Sequence, residues 1–263
     1  MLLKRSLLLA SAGVLAASPL LAQSRVTSPV KQFGHNIGDD YFLSSAPPSA
    51  SLRKVNPVRI ALYDQYGGLI TSGWTRFIFD QFEFPYQVVY PQGLDAGVLK
   101  DFDVLILPDG ATLGRVSGGR GGGGGRGPAI DSALIPPEYR KRLGAMSVAR
   151  TLPQINAFLE AGGTVLTVGT ATNLAYQLGL PVANALVDSA GQSLPRTKFY
   201  VPGSILRVQV DTTSPLAFGM RGAADMYFYN APAFRLLPGA DAAGLKKVVW
   251  IDTPTPLRSG WAR

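Results

Sequence analysis

The chain has 263 residues, of which 46% are hydrophobic and 16% charged, with no cysteine and one histidine, His35. This excludes a thiol nucleophile, a disulfide-stapled scaffold and a zinc site built on two histidines of this chain, and it fits a well-buried globular domain. The formal charge is +8, but the basic residues are scattered and their densest cluster is only Arg140, Lys141 and Arg142; this reads as a generally basic surface that meets anionic envelope components, not as a nucleic-acid binder.

Residues 1–22 have the pattern of an export signal. Lys4 and Arg5 precede an apolar run from Ser6 to Ala17, too short for a stable bilayer span, and Ser18-Pro19-Leu20-Leu21-Ala22 ends in a small residue suited to cleavage. Removing Lys4 and Arg5 lowers the charge from +8 to +6. No later stretch is long and apolar enough to span a membrane. The expected compartment is periplasmic or extracellular.

From Gln23 to Pro57 the composition is that of a loop or tether, with Pro47-Pro48 favouring an extended path. His35, Asp39 and Asp40 lie in it and read as solvated loop residues rather than metal ligands.

The globular part, residues 58–263, begins with a strand at Val58-Arg59-Ile60-Ala61-Leu62-Tyr63. A helix follows from about Ser72, with Trp74, Phe77, Ile78 and Phe82 spaced to form its inward face. Pro85 stops it, Tyr86 to Tyr90 is a second strand, a short helix spans about Leu94 to Leu99, and Val104-Leu105-Ile106-Leu107 is a buried strand ending at Pro108-Asp109-Gly110. This alternation builds a mainly parallel sheet with helices on both faces, an α/β fold. It is interrupted by a glycine-rich insertion at 117–128, read as a surface insertion because no Lys-Ser or Lys-Thr completes a phosphate loop.

The pattern resumes with a helix from Leu152 to Ala161, with Ile155, Phe158 and Leu159 inward, and a strand from Thr164 to Val168. Gly169 then turns the chain into a helix over Asn173 to Leu178. Beyond Pro181 the chain becomes β-rich, with strands at Ile205 to Val210, Met226 to Tyr229 and Val248 to Ile251. Gly191-Gln192-Ser193-Leu194-Pro195 misses the last glycine of a nucleophile elbow and reads as a loop.

Ligands of open parallel sheets meet the carboxyl ends of the strands. The candidate ligand-facing residues there are Asp64, Asp109, Thr170 and Asn173. The turn Gly169-Thr170-Ala171 has the form of an elbow whose apex falls at Thr170 or Ala171. No histidine or amino terminus lies near in sequence to activate Thr170, so Thr170, Thr172 and Asn173 read as helix caps, and Asp109 as a turn-forming residue before glycine. No catalytic, metal-binding or cofactor-binding residue is assigned.

Two pieces of the chain together resemble one family. Phe33-Gly34-His35-Asn36-Ile37-Gly38-Asp39-Asp40-Tyr41-Phe42-Leu43 resembles the opening segment of exported bacterial zinc carboxypeptidase-like proteins. From Val58 onward the chain resembles the accessory domain of those proteins, which is similar to class I glutamine amidotransferases. The matching residues include Ser72-Gly73-Trp74-Thr75-Arg76, Leu107-Pro108-Asp109-Gly110, Val201-Pro202-Gly203-Ser204 and Ser259-Gly260-Trp261. The resemblance implies a flavodoxin-like α/β domain, with zinc as the cofactor of intact relatives.

In those relatives the zinc peptidase domain lies between the two pieces. Here Leu43 runs through Ser44-Ser45-Ala46-Pro47-Pro48 into the accessory domain, and the elbow has Thr170-Ala171 where amidotransferases need a thiol. Relatives also continue past Ser-Gly-Trp, so the resemblance implies a chain short of its last strands as well as its middle. The expectation is a non-catalytic exported binding domain with residues 23–57 as a peptidase-family remnant and a cell-envelope peptide or glycan as its expected ligand. The alternatives are a fragment of a zinc metallocarboxypeptidase, or a hydrolase with an unfamiliar Thr/Asp site.

Overall fold

A computed structural model describes residues 7–10, 58–114 and 132–263. The expected tether at 23–57, with His35, Asp39 and Asp40, and the insertion at 117–128 lie outside the described residues, as does the expected export signal apart from residues 7–10.

Five strands form one parallel sheet. They are β1 (Leu7–Ala10), β2 (Ile60–Tyr63), β3 (Tyr86–Val89), β4 (Val104–Leu107) and β5 (Thr164–Val168), in the spatial order β1-β5-β4-β2-β3. The connections run outward from β2 in both directions, so the order reverses between β2 and β4, the kind of switch point at whose carboxyl ends open parallel sheets take ligands. β1, drawn from the apolar run near the start of the chain, is the outer neighbour of β5.

The central strands are apolar runs because both of their faces are covered. Ala61, Tyr63, Leu105, Leu107 and Val165 belong to one cluster, with Leu94, Leu99, Ile155, Phe158 and Leu159. Ile60, Leu62 and Ile106 belong to another, with Phe79. Helix α1 (Ile70–Gln81) supplies Phe79, whereas α2 (Pro91–Asp95), a 3-10 turn (Val98–Asp101) and a further helix, introduced below, cover the opposite face.

After the undescribed insertion, a short helix α3 (Pro137–Arg140) precedes α4 (Thr151–Glu160), the second helix on the larger face. Its Ile155, Phe158 and Leu159 are buried, as their spacing predicts, and Gly162 ends it in the left-handed region. Thr151 donates to Asp95 Oδ1 at 2.6 Å, fastening α4 to α2.

The expected apolar face of α1 is only partly turned inward, with Ile78 and Phe82 half-buried. Trp74 and Phe77 are 63% and 53% exposed and stack edge-to-face on the surface, while Ser72 and Phe79 face the sheet. The reason is electrostatic. Arg76 lies on the Ser72–Phe79 side and forms an ion pair with the buried Asp64, which turns that stripe inward and the more apolar stripe out.

Beyond β5, a 3-10 turn (Gly169–Asn173) and a one-turn helix α5 (Leu174–Gln177) lead into an antiparallel region. β6 (Val182–Asn184) pairs with β9 (Phe234–Leu236). β7 (Pro202–Val210) pairs along its length with β8 (Ala223–Tyr229), and on its other edge with β10 (Val249–Trp250) and β11 (Leu257–Ser259). Three of these strands match those expected from sequence; β6, β9 and β11 are short and were not. Just past β11, Gly260 takes φ of 92° and presses against Ser204, whose hydroxyl donates to the Trp261 carbonyl at 2.6 Å and accepts from its N–H at 3.0 Å. Trp261 is nonetheless 54% exposed and Trp250 is half-buried.

Candidate functional site

The strand ends on either side of the order reversal, those of β2 and β4, deliver two of the predicted residues, Asp64 and Asp109. Each is held by a different device.

Asp64 follows directly on β2 and is 4% exposed. Its Oδ1 accepts the N–H of Gln65 at 2.8 Å and of Leu69 at 2.9 Å, and its Oδ2 takes the Arg76 guanidinium. It therefore closes the loop Gln65-Tyr66-Gly67-Gly68 and anchors the start of α1, which has no side-chain cap of its own. The charge is neutralised in place. Arg76 Nε is buried without a partner among the described residues, which costs some of the stability the pair supplies. At the end of β2 itself, burial and then the charge of Asp95 push the Tyr63 hydroxyl above its ordinary range. Tyr63 is a neutral core residue, not an acid.

Asp109 stands at the end of β4, half-buried, with its Oδ1 accepting the Thr170 N–H at 2.7 Å and the Thr170 hydroxyl at 2.6 Å. The Thr170 hydroxyl in turn accepts the Gly110 N–H at 3.0 Å. The Asp109 carbonyl takes the hydroxyl of Thr71, in the first turn of α1, at 2.6 Å. The β4 and β5 tips are thus latched together and tied to α1.

This arrangement corrects two expectations. Thr170 does not cap a helix but locks to Asp109, Thr172 donates to the Gly169 carbonyl at 2.6 Å, and Asn173 makes no capping bond with its side chain. The tension of the elbow is also one residue earlier than expected. Gly169, not Thr170 or Ala171, takes the left-handed conformation, with φ of 57°. A Cβ there would run into the carboxylate of Asp109. At the one strained position where a strand-to-helix turn presents a nucleophile, there is no side chain and no room for one.

A cleft of about 420 Å³ opens beside Asp64, lined by Gln65, Tyr66, Gly67, Gly68, Arg76, Tyr90, Tyr139 and Arg142. Arg142 is its distinctive member. Its guanidinium lies 5.2 Å from the ring centre of Tyr90 and 4.8 Å from that of Tyr139, and it forms no ion pair or side-chain hydrogen bond among the described residues. The turn that carries it is pinned. Gln92 Nε2 donates to the carbonyls of Arg140 at 3.0 Å and Leu143 at 3.1 Å, and the Arg142 carbonyl accepts the Tyr66 N–H at 3.2 Å.

Of the four predicted residues, Asp64 lines the cleft and Asp109 with Thr170 forms the latch, while Asn173 belongs to neither. Sequence reasoning noticed Arg140-Lys141-Arg142 only as a weak basic cluster. Tyr90 carries no signal in the sequence because its pairing with Arg142 is made across the fold, whereas Tyr139 stands only three residues before Arg142, a spacing that could have flagged the pair. Among the described residues no group of three or more His, Asp or Glu side chains is placed to hold a metal ion, and no helix is long and apolar enough to cross a membrane. No family model, curated protein or solved structure matches the chain.

Proposed function

We propose that this chain is a non-catalytic binding domain of the class I glutamine amidotransferase-like kind, related to the accessory domain of zinc carboxypeptidase-like proteins and exported to meet a cell-envelope ligand. The strand order, with its reversal between β2 and β4, supports the fold assignment. Lys4 and Arg5 ahead of an apolar run support export; cleavage after Ala22 would remove β1 with the signal and leave β5 as an edge of the sheet. One observation carries the absence of catalysis: the elbow's strained residue is Gly169, and the space of a nucleophile's side chain is filled by Asp109.

The rival reading, a hydrolase, draws on the 2.6 Å hydrogen bond from the Thr170 hydroxyl to the Asp109 carboxylate. A hydroxyl beside a base is the start of a nucleophilic site. Against it, the same carboxylate oxygen also holds the Thr170 N–H, and the hydroxyl is itself occupied by the Gly110 N–H. The pair is consumed in joining two loops.

The test is to incubate the purified chain with zinc and peptides ending in tyrosine or lysine, and separately with acylating probes for reactive hydroxyls. No residue is released and no adduct forms. Metal-dependent release, or an adduct lost in Thr170→Val, overturns the reading.

A further inference from the structure

An arginine without a carboxylate partner is an anion receptor when it is held still and kept from folding back on its own protein. Among the described residues Arg142 has no such partner, and it meets both conditions. The guanidinium carbon lies over the rings of Tyr90 and Tyr139, and attraction between the cation and the rings holds it there. That attraction takes up no N–H group, and among the described residues the guanidinium donates no hydrogen bond. The turn beneath it is fixed by Gln92 and by Tyr66, so the group does not have to be ordered when a ligand arrives.

The remaining wall narrows the ligand class. Among the described residues its charged members are Asp64, Arg76 and Arg142, and the first two neutralise each other, leaving a single positive charge. That matches one carboxylate better than a doubly charged phosphate, which would also face Asp64. A free amino acid needs an acceptor for its ammonium, and among the described residues the one carboxylate on the wall already accepts two backbone N–H groups and the Arg76 guanidinium. What is left is the amide of Gln65, three tyrosines and the two glycines of the loop, a set of donors, acceptors and flat faces suited to hydroxyls on a ring. About 420 Å³ is at the small end of ligand pockets.

We propose that this cleft binds a sugar acid, with the ligand carboxylate on the N–H edge of Arg142 and its hydroxyls against Gln65 and the tyrosines. The proposal rests on the reading of the chain as a non-catalytic binder and names the ligand class of that binder.

The experiment titrates the full chain, followed by NMR, with D-glucuronate, D-glucose, N-acetylalanine and inorganic phosphate. Glucuronate binds saturably, and the other three bind at least about tenfold more weakly, the loss expected for one charge-assisted contact or for several hydroxyl contacts. Arg142→Gln weakens glucuronate by about tenfold or more, and Arg142→Lys, which keeps the charge but not the fork, falls between. Both variants keep the parent's cooperative melting transition, because the backbone bonds that pin the turn do not involve the side chain. Absence of saturable glucuronate binding, equal affinity for glucose, or full affinity in Arg142→Gln overturns the site. Phosphate or N-acetylalanine binding as tightly as glucuronate overturns the sugar-acid class. Release of nitrophenol from p-nitrophenyl glucuronide overturns the non-catalytic reading instead, and its loss in Arg142→Gln would uphold the cleft.

Discussion

Two aspartates stand at neighbouring strand ends on either side of the order reversal, and they have been put to opposite uses. Asp64 is the more buried of the two, yet it opens a cleft, because its loop carries two glycines and turns away before α1 begins. Asp109 is the more exposed, yet it closes its end of the sheet, because Gly169 lets the next strand's turn settle directly on its carboxylate. The residue type and its place on the strand are the same. What differs is whether the neighbouring loop retreats or closes, and a ligand can enter only where it retreats.

The contrast is broken most severely at Asp64. Asp64→Ala leaves the Arg76 guanidinium and the Leu69 N–H without a partner, and the expected loss is about 3 kcal/mol in urea denaturation, with the cleft disordered as well. A loss within experimental error would mean that Asp64 does not organise this end. At the closed end Gly169→Ala costs about 2 kcal/mol, from backbone strain together with contact against Asp109. Combining it with Asp109→Gly removes the contact and leaves the strain, so a double-mutant cycle gives a favourable coupling; strict additivity would show that the carboxylate does not fill the elbow. Thr170→Val keeps the shape but removes two hydrogen bonds, and about 1 kcal/mol is expected by the same denaturation, with glucuronate binding unchanged because Thr170 is not on the cleft wall.

The smallest effect belongs to a control at the opposite end of the sheet. There the exposed Arg59 side chain, chiefly by hydrogen bonding, holds the Asp103 carboxyl down from its ordinary 3.8 to about 2. A depressed carboxyl stabilises the fold above its ordinary value and loses that contribution as pH falls toward the depressed one. The melting temperature of the parent therefore falls slightly more between about pH 4 and pH 2 than that of Asp103→Asn, and salt narrows the difference. Identical acid limbs would show that the pair does not form in solution.

The parallel sheet was legible because its cause is local: continuous apolar runs at Ile60–Tyr63, Val104–Leu107 and Thr164–Val168, each bounded by turn residues. The face of α1 was not. Hydrophobic spacing points at Trp74 and Phe77, and one ion pair, invisible until β2 and α1 are side by side, overrules it. The strand ends were legible as places but not as roles, since Asp64 and Asp109 look alike until the loops of other strands are added. Arg142 was the least legible. It comes from beyond the glycine-rich insertion, and Tyr90, the ring that holds it, comes from before it.

All three tryptophans of the chain, Trp74, Trp250 and Trp261, sit wholly or partly in solvent, and among the described residues the deepest aromatic is Tyr63. The native emission spectrum will already resemble that of indole in water and will change little when the core comes apart. A fluorescence melt would then report a featureless curve for a protein that unfolds cooperatively. Far-ultraviolet dichroism or calorimetry is the signal by which its stability should be judged.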